Sequence, residues 1–281
     1  MKKIAVIPNN SKDLGLLNTG RLVKLLHGKA EIYMDEAYSV LGMDIKYVCS
    51  QEVYNNADYA VVLGGDGTIL RHASECAKRG IPVLGINLGK IGFMAEVEID
   101  NMETAISKLL SGDFKIEKRM MMKAQVKRDD EVQLSFHALN DVVVSKPAGE
   151  KLIGIELFTD GEAVNRYTAD GLIIATPTGS TGYSISAGGP VADPCMRLYA
   201  ATPICAHMLS VRSAVLASDK EIKIKLDREY GSIEAVVTAD GDVQSYIKNT
   251  DEVVITESEY DFELIRIGSQ SFYDTLIKKL S

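Results

Sequence analysis

The sequence predicts two domains of different architecture. The first is an α/β domain on a parallel, Rossmann-like sheet, and the second is β-rich and β-sandwich-like. A C-terminal helix is expected to pack back on the first. Three observations predict this. The chain has 281 residues, enough for about two domains at roughly 150 residues each. Up to about residue 118, short apolar runs alternate with helix-like stretches, as in βαβ units. Beyond it, strand-like runs follow one another with few helices between them. The expected division is 1–118 with 266–281 for the α/β domain and 119–265 for the β-rich domain.

The elements follow in order. Residues 2–8 form a short apolar run ending in Pro8 and Asn9, a first strand too short for a signal-peptide core. Residues 20–27 carry Leu22, Val23, Leu25 and Leu26 near helical spacing. Residues 30–34 and 58–63 are strand-like, and the second ends in Gly64-Gly65. Residues 68–78 read as a helix with Ile69, Leu70 and Ala73 on one side, and 81–86 as a further apolar strand. Residues 102–110 place Met102, Ala105, Ile106, Leu109 and Leu110 at helical spacing. In the second half strands are expected at 123–127, 141–145, 154–159, 172–176, 221–226, 233–239 and 252–256, with turns at Asp160-Gly161 and Asp240-Gly241. Met120, Met121 and Met122 read as core at a strand start. The stretch 269–280 returns to helix, with Phe272, Leu276 and Leu280 four apart.

Composition excludes several functions. Lys plus Arg total 31 against 39 Asp plus Glu, a net charge of −8. That balance opposes coating of nucleic acid or anionic membranes. With no Trp and 6% aromatic residues, a base-stacking single-strand surface is not expected. No run approaches the roughly 20 apolar residues of a membrane span. Cys49, Cys76, Cys195 and Cys205 show no C-x-x-C or zinc-ligand spacing. Free, mostly buried thiols in a reducing cytoplasm are expected, and no protein-bound metal.

The chemistry concentrates in two loops. Gly64-Gly65-Asp66-Gly67-Thr68 sits where a buried strand ends and a helix begins. Ligands of open α/β sheets bind at such carboxyl ends. The glycines let backbone approach a ligand, and a helix N-terminus favours phosphate. Asp66 is the group there that could accept a proton or approach a metal. The competing reading is a glycine turn in which Asp66 caps the helix. The second loop, residues 176–189, follows a strand and is dense in hydroxyls and glycine, with Tyr183 as an aromatic face. That composition suits a ligand with ribose hydroxyls and a planar base.

With these motifs the chain resembles the NAD kinase family of the bacterial type. Gly64 to Thr68 matches its G-G-D-G-T, and residues 170–190 match its D-G…T-P-T-G-S-T-A-Y…G-G-P block, with Gly182 in place of Ala. Leu139-Asn140-Asp141 matches L-N-E/D, and residues 87–94 match N-x-G-x-x-G-F-L with Met94 for Leu. The first motif is shared with lipid and sugar kinases; the second is far more specific.

The resemblance implies transfer of the γ-phosphoryl of ATP, or of polyphosphate, to the 2′-hydroxyl of the adenosine ribose of NAD. Asp66 would contact the ribose and act as base or orienter. Gly64, Gly65, Gly67 and Thr68 would approach phosphates, with Mg²⁺ or another divalent ion accompanying ATP. Asn140 and Asp141 would hold adenine and a ribose. Asp170 would lie near the nicotinamide amide. Gly67, Phe93, Thr181, Gly182, Tyr183 and Ser186 would line the dinucleotide pocket. Arg166 and His207 are further candidates: many relatives carry a basic residue where Thr168 stands, and Arg166 is the nearest cation. A homodimer or homotetramer is implied, without nucleic-acid or membrane partners. The alternatives are a non-catalytic NAD(P)-binding regulator and a lipid or sugar kinase sharing G-G-D-G-T.

Overall fold

A computed structural model describes residues 1–89, 92–207, 212–227, 234–268 and 271–280. Two compact units result, Met1–Lys118 with Phe262–Ser281, and Arg119–Asp261.

The first unit opens with β1 (Lys2–Ile7), α1 (Leu17–Leu26), β2 (Ala30–Asp35), β3 (Lys46–Val48), β4 (Tyr59–Gly64) and α2 (Asp66–Lys78). β5 (Val83–Asn87), β6 (Val97–Glu98) and α3 (Met102–Ser111) follow. The strands pair in parallel in the order β3-β2-β1-β4-β5-β6. β5 is buried along its whole length, as expected of a parallel strand covered on both faces. On one face, Leu22, Val23 and Leu26 of α1 and Met102, Ile106 and Leu109 of α3 pack with Ile4, Val6, Leu63, Leu84 and Ile86. α2 buries Ile69, Ala73, Cys76 and Ala77. It comes so close to the sheet that a Cβ on Gly85 would stand 2.6 Å from the end of Ile69.

The second unit contains most of β7 (Lys115–Arg128), then β8 (Glu131–Ala138), β9 (Asp141–Ser145), β10 (Ile153–Thr159), β11 (Glu162–Ala169) and β12 (Gly171–Ala175). After the short α4 (Tyr183–Ser186) come β13 (Leu198–Ile204), β14 (Ala214–Ala217), β15 (Ile222–Leu226), β16 (Glu234–Ala239), β17 (Asp242–Lys248) and β18 (Asp251–Arg266). One antiparallel sheet runs β14-β13-β12-β9-β16-β17. A second antiparallel run is β11-β10-β15-β18, and β7 pairs with β8. Val142, Val144, Leu172 and Ile174 of the first share a core with Ile153, Ile155, Ile222, Ile224 and Val253 of the second. Met120 and Met122 join that core.

The last segment of β18 adds to the first unit's sheet through Leu264 beside Val83 of β5. The final helix, α5 (Phe272–Leu280), also belongs to that unit. Its Phe272 ring lies 5.5 Å from Phe93.

The fold class agrees with the sequence reading, and the differences have local causes. α2 begins two residues before the expected start, so Asp66 and Gly67 are helical. β8, β11, β13, β14 and β17 were not expected. β11 and β17 are largely exposed, so their apolar alternation is weak, and β13 runs through Pro203, a residue that argues against a strand in the sequence. β7 and β18, at 14 and 16 residues, exceed the runs expected inside them. The expected ends at Ile233 and Ser269, and Lys90 and Ile91 of the N-x-G motif, lie outside the described residues. The cysteines correct an expectation: Cys76 is buried, but Cys49, Cys195 and Cys205 are exposed.

Candidate active site

In the first unit, β1, β4 and β5 run side by side and end together at their carboxyl edge. Gly64 is the last residue of β4, and Thr68 leaves room only for glycine there, because a Cβ would overlap the Thr68 side chain. Gly65 is the N-cap of α2, and its carbonyl accepts the Thr68 N–H at 2.9 Å. The amides of Asp66 and Gly67 therefore remain to meet an anion in the first turn.

Asp66 does not cap its own helix. Its carboxylate accepts the backbone N–H of Phe93 at 2.7 Å through Oδ2, and those of Met94 and Ala95 at 3.0 Å each through Oδ1. Gly92 makes this approach feasible, because a Cβ at that position would overlap the carboxylate. Phe93 is held on two further sides. Its carbonyl accepts Arg266 Nη2 at 3.2 Å, and its ring meets two groups of α5, Phe272 and the Lys279 ammonium, the latter 4.4 Å from the ring centre.

The loop after β1 reaches the same edge. Asn9 Nδ2 donates to Thr68 Oγ1 at 2.7 Å, while Asn9 Oδ1 accepts from Ser11 and Lys12 N–H groups. Asp13 is turned the other way, accepting the Asn18 and Thr19 N–H groups at the start of α1. Those hydrogen bonds hold its carboxyl below the ordinary range against the opposing effect of burial, which is the largest single influence. Lys12 is left beside the glycines: a Cβ on Gly65 would stand 3.0 Å from its Nζ.

In the second unit, the Leu139-Asn140-Asp141 turn and the 176–189 loop come together. Thr176 N–H donates to the Asn140 carbonyl at 2.8 Å. A Cβ on Gly179 would overlap that same carbonyl. A Cβ on Gly182 would stand 3.5 Å from Asn140 Nδ2 and 3.9 Å from Asp141 Oδ2. Gly182 thus fronts both side chains. Asn140 Oδ1 is buried and has no hydrogen-bond partner, an orphan acceptor that a ligand donor would satisfy. Burial, then the charge of Asp240, pushes the Asp141 carboxyl up to about 7.

The other expected residues are placed as follows. Tyr183 begins α4 and is exposed, as is Ser186 at its end. Thr181 donates to the Thr178 carbonyl at 3.3 Å. Asp170 lies 3.4 Å from Lys146 Nζ. The Arg166 guanidinium is occupied by Asp227 at 2.6 Å and Glu156 at 3.6 Å, so it is committed within its own sheet. His207 is exposed, with its N–H on the Thr168 carbonyl at 2.8 Å. His72 of α2 bonds Tyr54 OH at 2.6 Å, and burial lowers its pKa.

Sequence reasoning missed Lys12 and gave no site role to Gly92, a motif glycine, or to Asp240, read only as a turn residue. A lysine just past the end of a strand neighbouring β4 was the available signal for Lys12. Among the described residues no three His, Cys, Asp or Glu groups gather as a metal cage, and no helix is long and apolar enough to cross a membrane.

Comparison with known proteins adds to this geometry. Residues 11–114 match the ATP-NAD kinase N-terminal domain and residues 139–267 the ATP-NAD kinase C-terminal domain. An NAD kinase of Thermoanaerobacter sp. (strain X514) is 38% identical over 283 residues, covering 100% of this chain and 99% of the relative. One from Geobacter metallireducens is 36% identical, covering 100% and 98%. A solved NAD kinase from Archaeoglobus fulgidus, in complex with ATP, is similar with a TM-score of 0.74 and 27% identity, over 99% of this chain and 98% of that one. Yeast NADH kinase complexed with NADH shares the fold, with a TM-score of 0.88 at 24% identity, over 99% and 86%.

Proposed function

The chain belongs to the NAD kinase family, and from that premise we propose how its residues share the reaction. It is an enzyme that phosphorylates NAD to NADP with ATP. The acceptor in this reading is the 2′-hydroxyl of the adenosine ribose, a weak nucleophile that a nearby carboxylate must orient and relieve of its proton. Asp66 takes that role. A carboxylate has about four acceptor positions, and backbone N–H groups use three of those on Asp66. The position left over can accept one hydroxyl. This fixed, nearly saturated carboxylate at the head of α2 is the observation that carries the assignment.

The donor phosphates fall to Gly64, Gly65, Gly67 and Thr68, chiefly through the first-turn amides and the positive end of the α2 dipole. Lys12 supplies the cation there, while the Arg166 guanidinium is taken up by Asp227 and Glu156. Asn140 and Asp141 hold the adenosine half. The Asn140 amide reads the adenine edge, and the Asp141 carboxylate accepts ribose hydroxyls. Gly182, Thr181, Tyr183 and Ser186 line that pocket, and Tyr183 stacks on a base. Asp170 serves the nicotinamide end. Phe93 acts mainly through its backbone, since α5 already covers its ring. His207 keeps no assigned role.

A divalent ion fits this donor set. Without an acidic cage among the described residues, it would be held mostly by phosphate oxygens and water, with Asp66 the nearby carboxylate. When bound it would spread the charge of the transferring phosphoryl group. A homodimer or homotetramer remains part of the proposal, testable by sedimentation. Full-length similarity to NAD kinases leaves the lipid- or sugar-kinase alternative without support.

The experiment is direct. Purified protein is incubated with NAD, ATP and Mg²⁺, and NADP is measured with a coupled dehydrogenase. NADP formation is expected, and folded protein that makes none above background would overturn the reading.

A further inference from the structure

The Asn140–Asp141 pair has a neighbour about a hundred residues away in the chain. Asp240 opens the two-residue turn between β16 and β17, at φ 52, with Gly241 at φ 90 behind it. That conformation suits an Asp-Gly hairpin turn. From there the Asp240 carboxylate accepts the N–H groups of Leu139 at 2.9 Å, Asn140 at 2.7 Å and Asp141 at 3.2 Å. Its own N–H donates to the Asp141 carbonyl at 3.0 Å. Thr176 completes the set from the other side, donating Oγ1–H to the Leu139 carbonyl at 2.5 Å and N–H to the Asn140 carbonyl at 2.8 Å. Each backbone donor and acceptor of residues 139–141 is thereby engaged, and the Asn140 and Asp141 side chains are left for a ligand.

We propose that Asp240 is the positioning residue that sets the Asn140 amide and the Asp141 carboxylate for the adenosine half of NAD, and that NAD capture draws a proton off this carboxylate pair. The inference rests on the reading of Asn140 and Asp141 given above. Two carboxylates in one buried place do not both ionise freely. Asp240 is the charged group that faces Asp141 from the β16–β17 turn, and Asp242 in turn faces Asp240. Burial holds both above the ordinary range, Asp141 to about 7 and Asp240 to about 6, although the N–H bonds on Asp240 pull it down. An ionised carboxylate accepts a ribose hydroxyl more strongly than the neutral acid does. Below neutrality the pair keeps a proton in the free protein, and binding sends it to solvent.

Two measurements test this. Calorimetry of NAD binding to the wild-type protein, at about pH 6.5 in buffers of different ionisation enthalpy, is expected to show net proton release that fades by about pH 8.5. No release would overturn the proton coupling, whether or not any variant folds. Asp240→Asn keeps the shape but removes the charge and one acceptor oxygen. It should raise KM for NAD about tenfold, leave KM for ATP and kcat nearly unchanged, and move the acidic limb of kcat/KM for NAD to lower pH. An unchanged KM, an equal rise for both substrates or an unmoved limb would overturn the positioning role. Asp141→Asn separates the two levels: unchanged NAD affinity in that variant would sink the reading of Asp141 itself.

Discussion

At the scale of single residues, the proposed mechanism gives one carboxylate two burdens. Asp66 is read as the group that orients the acceptor hydroxyl, and it also ties down the backbone of Phe93, Met94 and Ala95. Asp66→Asn turns an NH₂ towards N–H donors on one side. It is expected to cost more than a hundredfold in kcat, in line with loss of general-base help, and to lower thermal stability as well. Gly92→Ala separates these effects from charge, because it leaves Asp66 in place but drives a methyl into it. A stability loss of about 1–3 kcal/mol is expected from such overpacking, together with a kcat close to that of Asp66→Asn. Normal turnover in Gly92→Ala would mean that the carboxylate can move without consequence. Lys12→Met probes the donor side: KM for ATP should rise about tenfold, with KM for NAD unchanged and partial rescue by Lys12→Arg. A rise confined to NAD would remove Lys12 from the donor phosphates.

At the scale of elements, the end of β18 pins the segment that Asp66 holds from the opposite side. Arg266 donates to Glu96 at 3.0 Å, to Glu117 at 2.9 Å and to the Phe93 carbonyl, while Glu96 accepts the Ile267 N–H at 2.8 Å. The group is largely buried, with Arg266 at 16% side-chain exposure and Glu96 at 10%. Removing one partner strands the others. Arg266→Met is expected to cost about 3–5 kcal/mol by denaturant unfolding, and a cost below 1 kcal/mol would show that water already supports the carboxylates. This network also marks the limit of sequence reading. The strands β1, β4, β5, β9 and β12 were legible because burial on both faces leaves continuous apolar runs. Asp66, Asn140 and Asp141 were legible because their motifs are local. Gly92, Lys12 and Asp240 were not. Each acts on a partner 26 to about a hundred positions away, and only the folded sheet brings such partners together. Edge strands such as β17 escaped for a different reason: half in water, they keep no strong apolar period.

At the scale of the whole molecule, a net charge of −8 meets the triphosphate of ATP and the pyrophosphate of NAD. In the proposed site that charge is met locally, by glycine amides, Lys12 and a divalent ion taken up with ATP. Excess chelator is therefore expected to stop NADP formation while leaving binding of NAD intact. NAD alone, at a hundredfold excess over its Kd, should stabilise the protein by about 2.7 kcal/mol by mass action, with and without chelator. Loss of that stabilisation on chelation would place the metal in NAD binding, against the donor-side assignment.

One exposed ring has a practical consequence. Tyr183 stands 49% exposed at the start of α4, in a chain that has no tryptophan. Tyr183→Trp would install the sole indole of the protein where the dinucleotide base is expected to stack. Its emission would then be a private optical signal, quenched as NAD arrives and free of background from the rest of the chain. Titrated with NAD and ATP in turn, that single fluorophore would report the order in which the substrates enter.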